Sequence, residues 1–103
     1  MHFMITAYDG TDGEAALRRS NAREAHLAGV KQLQKERKHL YGAALLDDEG
    51  QMTGSMLLVD YPSKEALHNE WLNSEPYVIG NVWETIEITP CIVPDFFKNP
   101  VSI

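Results

Sequence analysis

Along residues 2–88 the hydrophobic period switches between the two-residue repeat of a strand and the 3.6-residue repeat of a helix, and the order of those switches restricts the fold more than any other feature. His2-Phe3-Met4-Ile5-Thr6-Ala7-Tyr8 is rich in strand formers and stops at Asp9-Gly10, a turn dipeptide. Helix formers without a proline follow over residues 14–38, with Ser20-Asn21 expected to separate a short opening turn from the main helix. Residues 40–46 and 54–60 read as antiparallel strands around a hairpin loop, Asp47-Asp48-Glu49-Gly50-Gln51. Pro62 and an N-cap serine, Ser63, open a second helix that runs through Ala66, Leu67, Glu70 and Trp71 to about Asn73, and Pro76 lies beyond its end. Val82-Trp83-Glu84-Thr85-Ile86-Glu87-Ile88 alternates apolar with polar residues as a fourth strand, which Thr89-Pro90 is expected to end.

The order β-α-β-β-α-β predicts an α+β, ferredoxin-like fold with one four-stranded antiparallel sheet and both helices on one face. With 103 residues the chain is expected to form a single domain over 1–103, with residues 91–103, including Pro94 and Pro100, as an extended tail. Two helices cover only one sheet face. Met4, Thr6 and Tyr8 alternate with Phe3, Ile5 and Ala7, and Met56 and Leu58 alternate with Ser55, Leu57 and Val59, so both faces carry apolar side chains. A second copy is the simplest cover for the open face, and the expected assembly is a homodimer with its sheets packed face to face as a dimeric α+β barrel.

A net charge of −6 repels phosphate backbones and anionic lipid, so neither nucleic acid nor a membrane surface is expected as a partner. The cations in Arg18-Arg19, at Arg23 and over residues 31–38 alternate with Glu14, Glu24 and Glu36, the pattern of a solvated helix face. One cysteine, Cys91, excludes an intrachain disulfide, and no apolar run approaches the ~20 residues of a membrane span. Together with an amino terminus unlike a secretory signal, this predicts a cytoplasmic protein. His2, His26, His39 and His68 lack metal-ligand spacing, and no phosphate-binding glycine loop or nucleophile elbow is present, so no metal and no cofactor are expected.

At 100° per residue Ala22, Arg23, His26, Val30 and Leu33 share one face of the first helix, so the His26 ring should point at the sheet. About fifty residues later Ser74-Glu75-Pro76-Tyr77 carries a carboxylate at the exit of the second helix. An imidazole whose one nitrogen donates to a carboxylate is held in one tautomer and made more basic, as a general base near neutral pH requires. Read alone, a histidine on such a face is usually a satisfied core residue, and Glu75 equally fits a surface acid. Arg23, one turn before His26, either holds a phenolate or carboxylate or pairs with Glu75 or Glu24. Tyr77 and Ser55 are candidates to donate to a substrate oxygen, and Tyr8 and Trp83 either stack on a ring or pack the core.

With this topology, Arg23-x-x-His26-Leu27, Gly42, Gly54-Ser55, Ser63-Lys64-Glu65-Ala66 and Glu75-Pro76-Tyr77 make residues 1–90 resemble the YciI-like (YCII-related) family of dimeric α+β barrel proteins. In that family a histidine pairs with the aspartate of an Asp-Pro-Tyr turn, and the resemblance implies His26 and Glu75 as a catalytic dyad, with glutamate one methylene longer. The family includes an enzyme that removes HCl from a chlorinated hydroxyquinol, and the wider superfamily includes muconolactone isomerases and monooxygenases of small ring compounds. The function implied is that of a cofactor-free lyase. Its His/carboxylate dyad would abstract a proton from a small hydroxylated ring compound, most concretely in dehydrochlorination of a chlorinated hydroxyquinol to a hydroxybenzoquinone. The alternatives are a small-ligand-binding accessory protein without turnover, or a muconolactone-isomerase-like or monooxygenase activity.

Overall fold

In the computed structural model, which describes residues 1–98, the first strand β1 (His2–Asp9) shows the two-residue period directly. Phe3, Ile5, Ala7 and Asp9 are buried, whereas Met4 and Tyr8 on the opposite face are exposed. β1 lies between β3 (Met52–Asp60) and β4 (Trp83–Cys91), and β2 (His39–Leu46) flanks β3, so the antiparallel order is β2-β3-β1-β4. This is the ferredoxin-like α+β arrangement that the order of elements predicts. Register places Phe3 opposite Val59 and Ile5 opposite Leu57, which stacks the buried residues of the two central strands on one face. Leu67, Trp71, Leu72, Tyr77 and Val82 complete a core on that side, each large apolar side chain contributing roughly 1.5–3 kcal/mol by leaving water.

Helix α1 (Ala15–Lys35) runs unbroken through Ser20-Asn21, contrary to the interruption expected there. Both residues are exposed, so their side chains meet water rather than the core, and the propensity cost of each is below about 1 kcal/mol. The helix also stops short of residue 38. Arg37 adopts φ 61°, while its amide donates to the Gln34 carbonyl and that of Lys38 to the Leu33 carbonyl, the pairing of a Schellman cap. Ala22, Val30 and Leu33 pack on the core as the helical period requires.

Ser63 Oγ accepts from the Ala66 amide at 3.0 Å to start α2 (Lys64–Glu70). The segment predicted as one helix to Asn73 instead passes through a 3-10 turn, Leu72–Ser74, and reopens as α3 (Pro76–Ile79). Pro76 begins a helix here as well as following one, because its missing amide hydrogen costs nothing at the first helical position.

β4 continues through Pro90 to Cys91. It is an edge strand, so Pro90 can sit on it without removing a ladder bond from a neighbour. Residues 91–103 were expected to be extended; within them Asp95–Lys98 forms a short helix, α4, and residues 99–103 lie outside the described residues.

Gly54 on β3 pairs with Tyr8 of β1, and a Cβ added there would sit 2.5 Å from the Ala7 carbonyl oxygen. At Gly29, within α1, an added Cβ would meet nothing within 4 Å. Gly54→Ala should therefore destabilise by about 1–3 kcal/mol through forced backbone displacement. Gly29→Ala should stabilise by about 0.5–1 kcal/mol through helix propensity. Urea unfolding of the two variants would show opposite changes in midpoint; changes of the same sign would contradict this packing.

Candidate functional site

Arg19, Arg23 and His26 occur at intervals of four and three residues on α1, which places them along one helical stripe. Opposite that stripe, α3 starts at Glu75, whose side chain accepts from the Tyr77 amide as an N-cap. The two elements meet at a buried pair: His26 Nδ1 lies 2.5 Å from Glu75 Oε1, with His26 7% and Glu75 2% exposed. With Nδ1 donating to the carboxylate, the lone pair of the neutral ring resides on Nε2.

The pair has an aromatic surround. The Tyr77 ring stacks on His26 at 3.9 Å and 10°, and Trp83 meets His26 edge-on at 5.9 Å. Glu75 Oε2 accepts from the Trp71 indole at 2.8 Å, and Oε1 accepts from the Tyr77 amide at 3.2 Å. Burial pushes the Tyr77 hydroxyl pKa upward, partly opposed by Arg19 and Arg23, so the group stays a donor at neutral pH.

A second polar cluster adjoins the first. Arg19 Nη1 donates to both Asp9 carboxylate oxygens at 2.9 Å, and Nη2 donates to Ser55 Oγ at 3.2 Å. The Trp83 indole also donates to Ser55 Oγ, at 3.1 Å, and the Arg19 guanidinium lies 4.9 Å from the Tyr77 ring centre. Arg19 is thus a buried member of the site, 6% exposed, and not part of a solvated face. The reading by mixed charge failed there because it averaged over the helix instead of following the stripe that already contains Arg23 and His26.

A cavity of about 500 Å³ opens between α1 and strands β2 and β3. Of the side chains singled out from sequence, Arg23, His26, Ser55 and Tyr77 line it. Glu75 stands behind His26, and Trp83 lies beneath Ser55 without lining the cavity. Tyr8 is not brought to it: 50% exposed, it projects from the opposite sheet face, because residues one apart on a strand point apart. Arg23 forms no ion pair among the described residues, so neither Glu75 nor Glu24 neutralises it. Lys31 also lines the cavity, and no aspartate or glutamate does, although the chain as a whole carries −6.

Asp9, Arg19, Trp71 and His39 are the polar members that the sequence reading missed. Only Arg19 left a signal, its seven-residue offset from His26; Asp9 was read as part of a turn and Trp71 as an apolar position of α2. His39 lines the cavity, is 2% exposed and has Nε2 3.1 Å from the Tyr61 hydroxyl, while its Nδ1 has no hydrogen-bond partner. Among the described residues no group of three or more histidines, cysteines or acids converges as a metal site. Nor is any described helix long and apolar enough to cross a membrane.

The model of the YCII-related domain matches residues 1–92 of this chain. Among solved structures, the fold is similar to that of 5-chloro-2-hydroxyhydroquinone dehydrochlorinase from Burkholderia phenoliruptrix AC1100, determined in complex with 2,5-dihydroxybenzoquinone. The TM-score is 0.76 at 23% identity, with 93% of this chain and 98% of that chain covered, a likeness of fold. Among curated protein sequences none gives a significant match.

Burial holds the pKa of His39 down from 6.5 to about 4, outweighing the opposing pull of Glu75. Between these values the unfolded chain binds a proton that the folded chain does not, so stability increases with pH across the window. As pH falls from 6.5 towards about 4, wild type should lose about 3 kcal/mol through this residue. Denaturant unfolding at stepped pH, compared with His39→Phe, checks this: the variant should lack that component. An NMR midpoint for the His39 ring near 6.5 would contradict it.

Proposed function

This chain belongs to the YCII-related domain family, and from that premise we propose that it is a cofactor-free lyase acting on a small, hydroxylated ring compound. His26 is the general base. Its Nε2 takes a hydroxyl proton, and Glu75, bound to Nδ1, stabilises the imidazolium that results. Arg23 holds the phenolate that forms, and Tyr77 donates to a ring oxygen. The most concrete reaction is loss of HCl from a chlorinated hydroxyquinol: the ring gives up one net proton, chloride leaves with the carbon–chlorine bonding pair, and a hydroxybenzoquinone remains. The proton on His26 then passes to water, which returns the base to its starting form.

The observation that carries this reading is the histidine–carboxylate hydrogen bond at a cavity lined by Arg23 and Lys31 and by no acid. Such a lining favours an anionic ring, since ionisation of a bound phenol there is assisted by nearby positive charge. The similar fold of a dehydrochlorinase adds support for the reaction class. The same lining would also retain a ring anion without turnover, which is the second reading. We further propose that the protein is cytoplasmic and that each protomer is one domain. Two protomers are proposed to join through the open sheet face that carries Met4, Tyr8, Met56 and Leu58, a pair for which the exposure of Met4 and Tyr8 is the support.

His26→Ala should lower the rate on a chlorinated hydroxyquinol by about 10²–10⁴, the usual contribution of a general base. Chloride release and quinone absorbance measure it, and a variant as fast as wild type rejects the lyase reading. Saturable binding that quenches tryptophan fluorescence, with no chloride released, would favour the non-catalytic reading. In light scattering after size exclusion, wild type should elute at twice the 11.6 kDa protomer mass, and a monomer at micromolar concentration would refute the dimer.

A further inference from the structure

Glu75 meets three donors, and two of them have no other role open to them. An indole Nε1–H and a backbone N–H can donate but never accept. The Trp71 indole donates to Oε2 at 2.8 Å and the Tyr77 amide donates to Oε1 at 3.2 Å, so each oxygen is engaged as an acceptor. Donors on both oxygens favour the ionised carboxylate, which can only accept. The hydrogen between Oε1 and His26 Nδ1 is then supplied by the imidazole, and the ring lone pair is directed to Nε2.

We propose that Trp71 is a positioning residue that sets the tautomer of His26 by occupying the far oxygen of Glu75. The inference rests on the reading of His26 as the base, because only then does the choice of tautomer affect turnover. Trp71 acts from outside the cavity: it is 3% exposed, does not line the cavity, and follows α2 just before the 3-10 turn that leads to Glu75. The spacing is part of the device. Trp71 and Glu75 are four residues apart across that turn, and the Ser74 hydroxyl and amide both donate to the Trp71 carbonyl, which fixes the turn that brings the indole back onto the acid. Edge-on contact with His39 at 4.6 Å and a parallel Tyr61 ring at 6.3 Å pack against the indole.

Without the indole donor, the buried charge of Glu75 loses a stabilising hydrogen bond and its carboxylate takes up a proton more readily. Protonated on Oε1, Glu75 donates to Nδ1, and the imidazole then carries its hydrogen on Nε2. Trp71→Phe should consequently reduce kcat about 10- to 100-fold, the effect of one hydrogen bond to a charged group, with KM within about twofold of wild type because no cavity contact is lost. In a Glu75→Gln background the same substitution should cost less than threefold, since the acid it acts through is gone.

The deciding measurement needs no substrate. Imidazole ¹⁵N NMR at a pH where the ring is neutral should show His26 protonated on Nδ1 in wild type and a mixture of tautomers in Trp71→Phe; the same single tautomer in both would overturn the proposal. Should Trp71→Phe fail to fold, wild type alone decides. The chain has two tryptophans, and the Trp71 indole resonance should move with the same pH midpoint as the His26 ring and by more than that of Trp83, which meets the ring edge-on but is hydrogen-bonded to Ser55 instead of Glu75. A Trp71 resonance that ignores the His26 titration overturns the inference. The two readings fail separately: full activity in His26→Ala removes the lyase and leaves the tautomer result standing, whereas an unchanged tautomer removes the role of Trp71 and leaves the lyase untouched.

Discussion

Removing a carboxylate from water costs several kcal/mol unless donors replace its hydration, and Glu75, 2% exposed, is provided with three. One comes from α1, one from the end of α2 and one from the first turn of α3. The acid is therefore the point where α1, distant in sequence, meets the local turn from α2 to α3, and both are oriented by the need to deliver hydrogens. The geometry that a proton-abstracting histidine requires is the same geometry that makes burial of this acid tolerable.

Electrostatics around the junction follow a similar economy of partners. Asp9, at the end of β1, takes both hydrogen bonds from Arg19 Nη1, so one cation of the helical stripe is neutralised within the protein. Arg23, one turn further on, faces the cavity without such a partner among the described residues. A chain that is acidic overall thus keeps a pocket free of acids. The space itself exists because Gly42 and Ala44 on the edge strand β2, opposite Leu57 and Ser55, are small, and because the bulky aromatic side chains crowd towards the other end, around Glu75.

Much of the fold was legible from local pattern. Alternation in residues 2–8 and 82–88, and the polar loop at 47–51, marked elements that recur within a few residues of the expected bounds. The differences arose where a neighbour, and not the local sequence, decides the outcome. Ser20-Asn21 does not divide α1 because those positions face water, and Pro90 does not end β4 because the strand lies at the sheet edge. The 3-10 turn and α3 were hidden behind Pro76, which reads as a terminator whether or not a new helix begins.

Among the site residues, His26 and Arg23 could be placed on one helical face from period alone, and Glu75 drew attention as the carboxylate of a distinctive turn. That is what the sequence determined: which side chains each element offers, and on which of its faces, since backbone period is a local property. Which of those faces meet was decided only by the tertiary structure. The Trp71 contact with Glu75 spans four residues of one turn, but His26 and Glu75 are 49 residues apart, and nothing local specifies that His26 takes the other carboxylate oxygen. Such pairings follow from packing two helices on one face of a twisted sheet, where the positions of all the elements together set each distance.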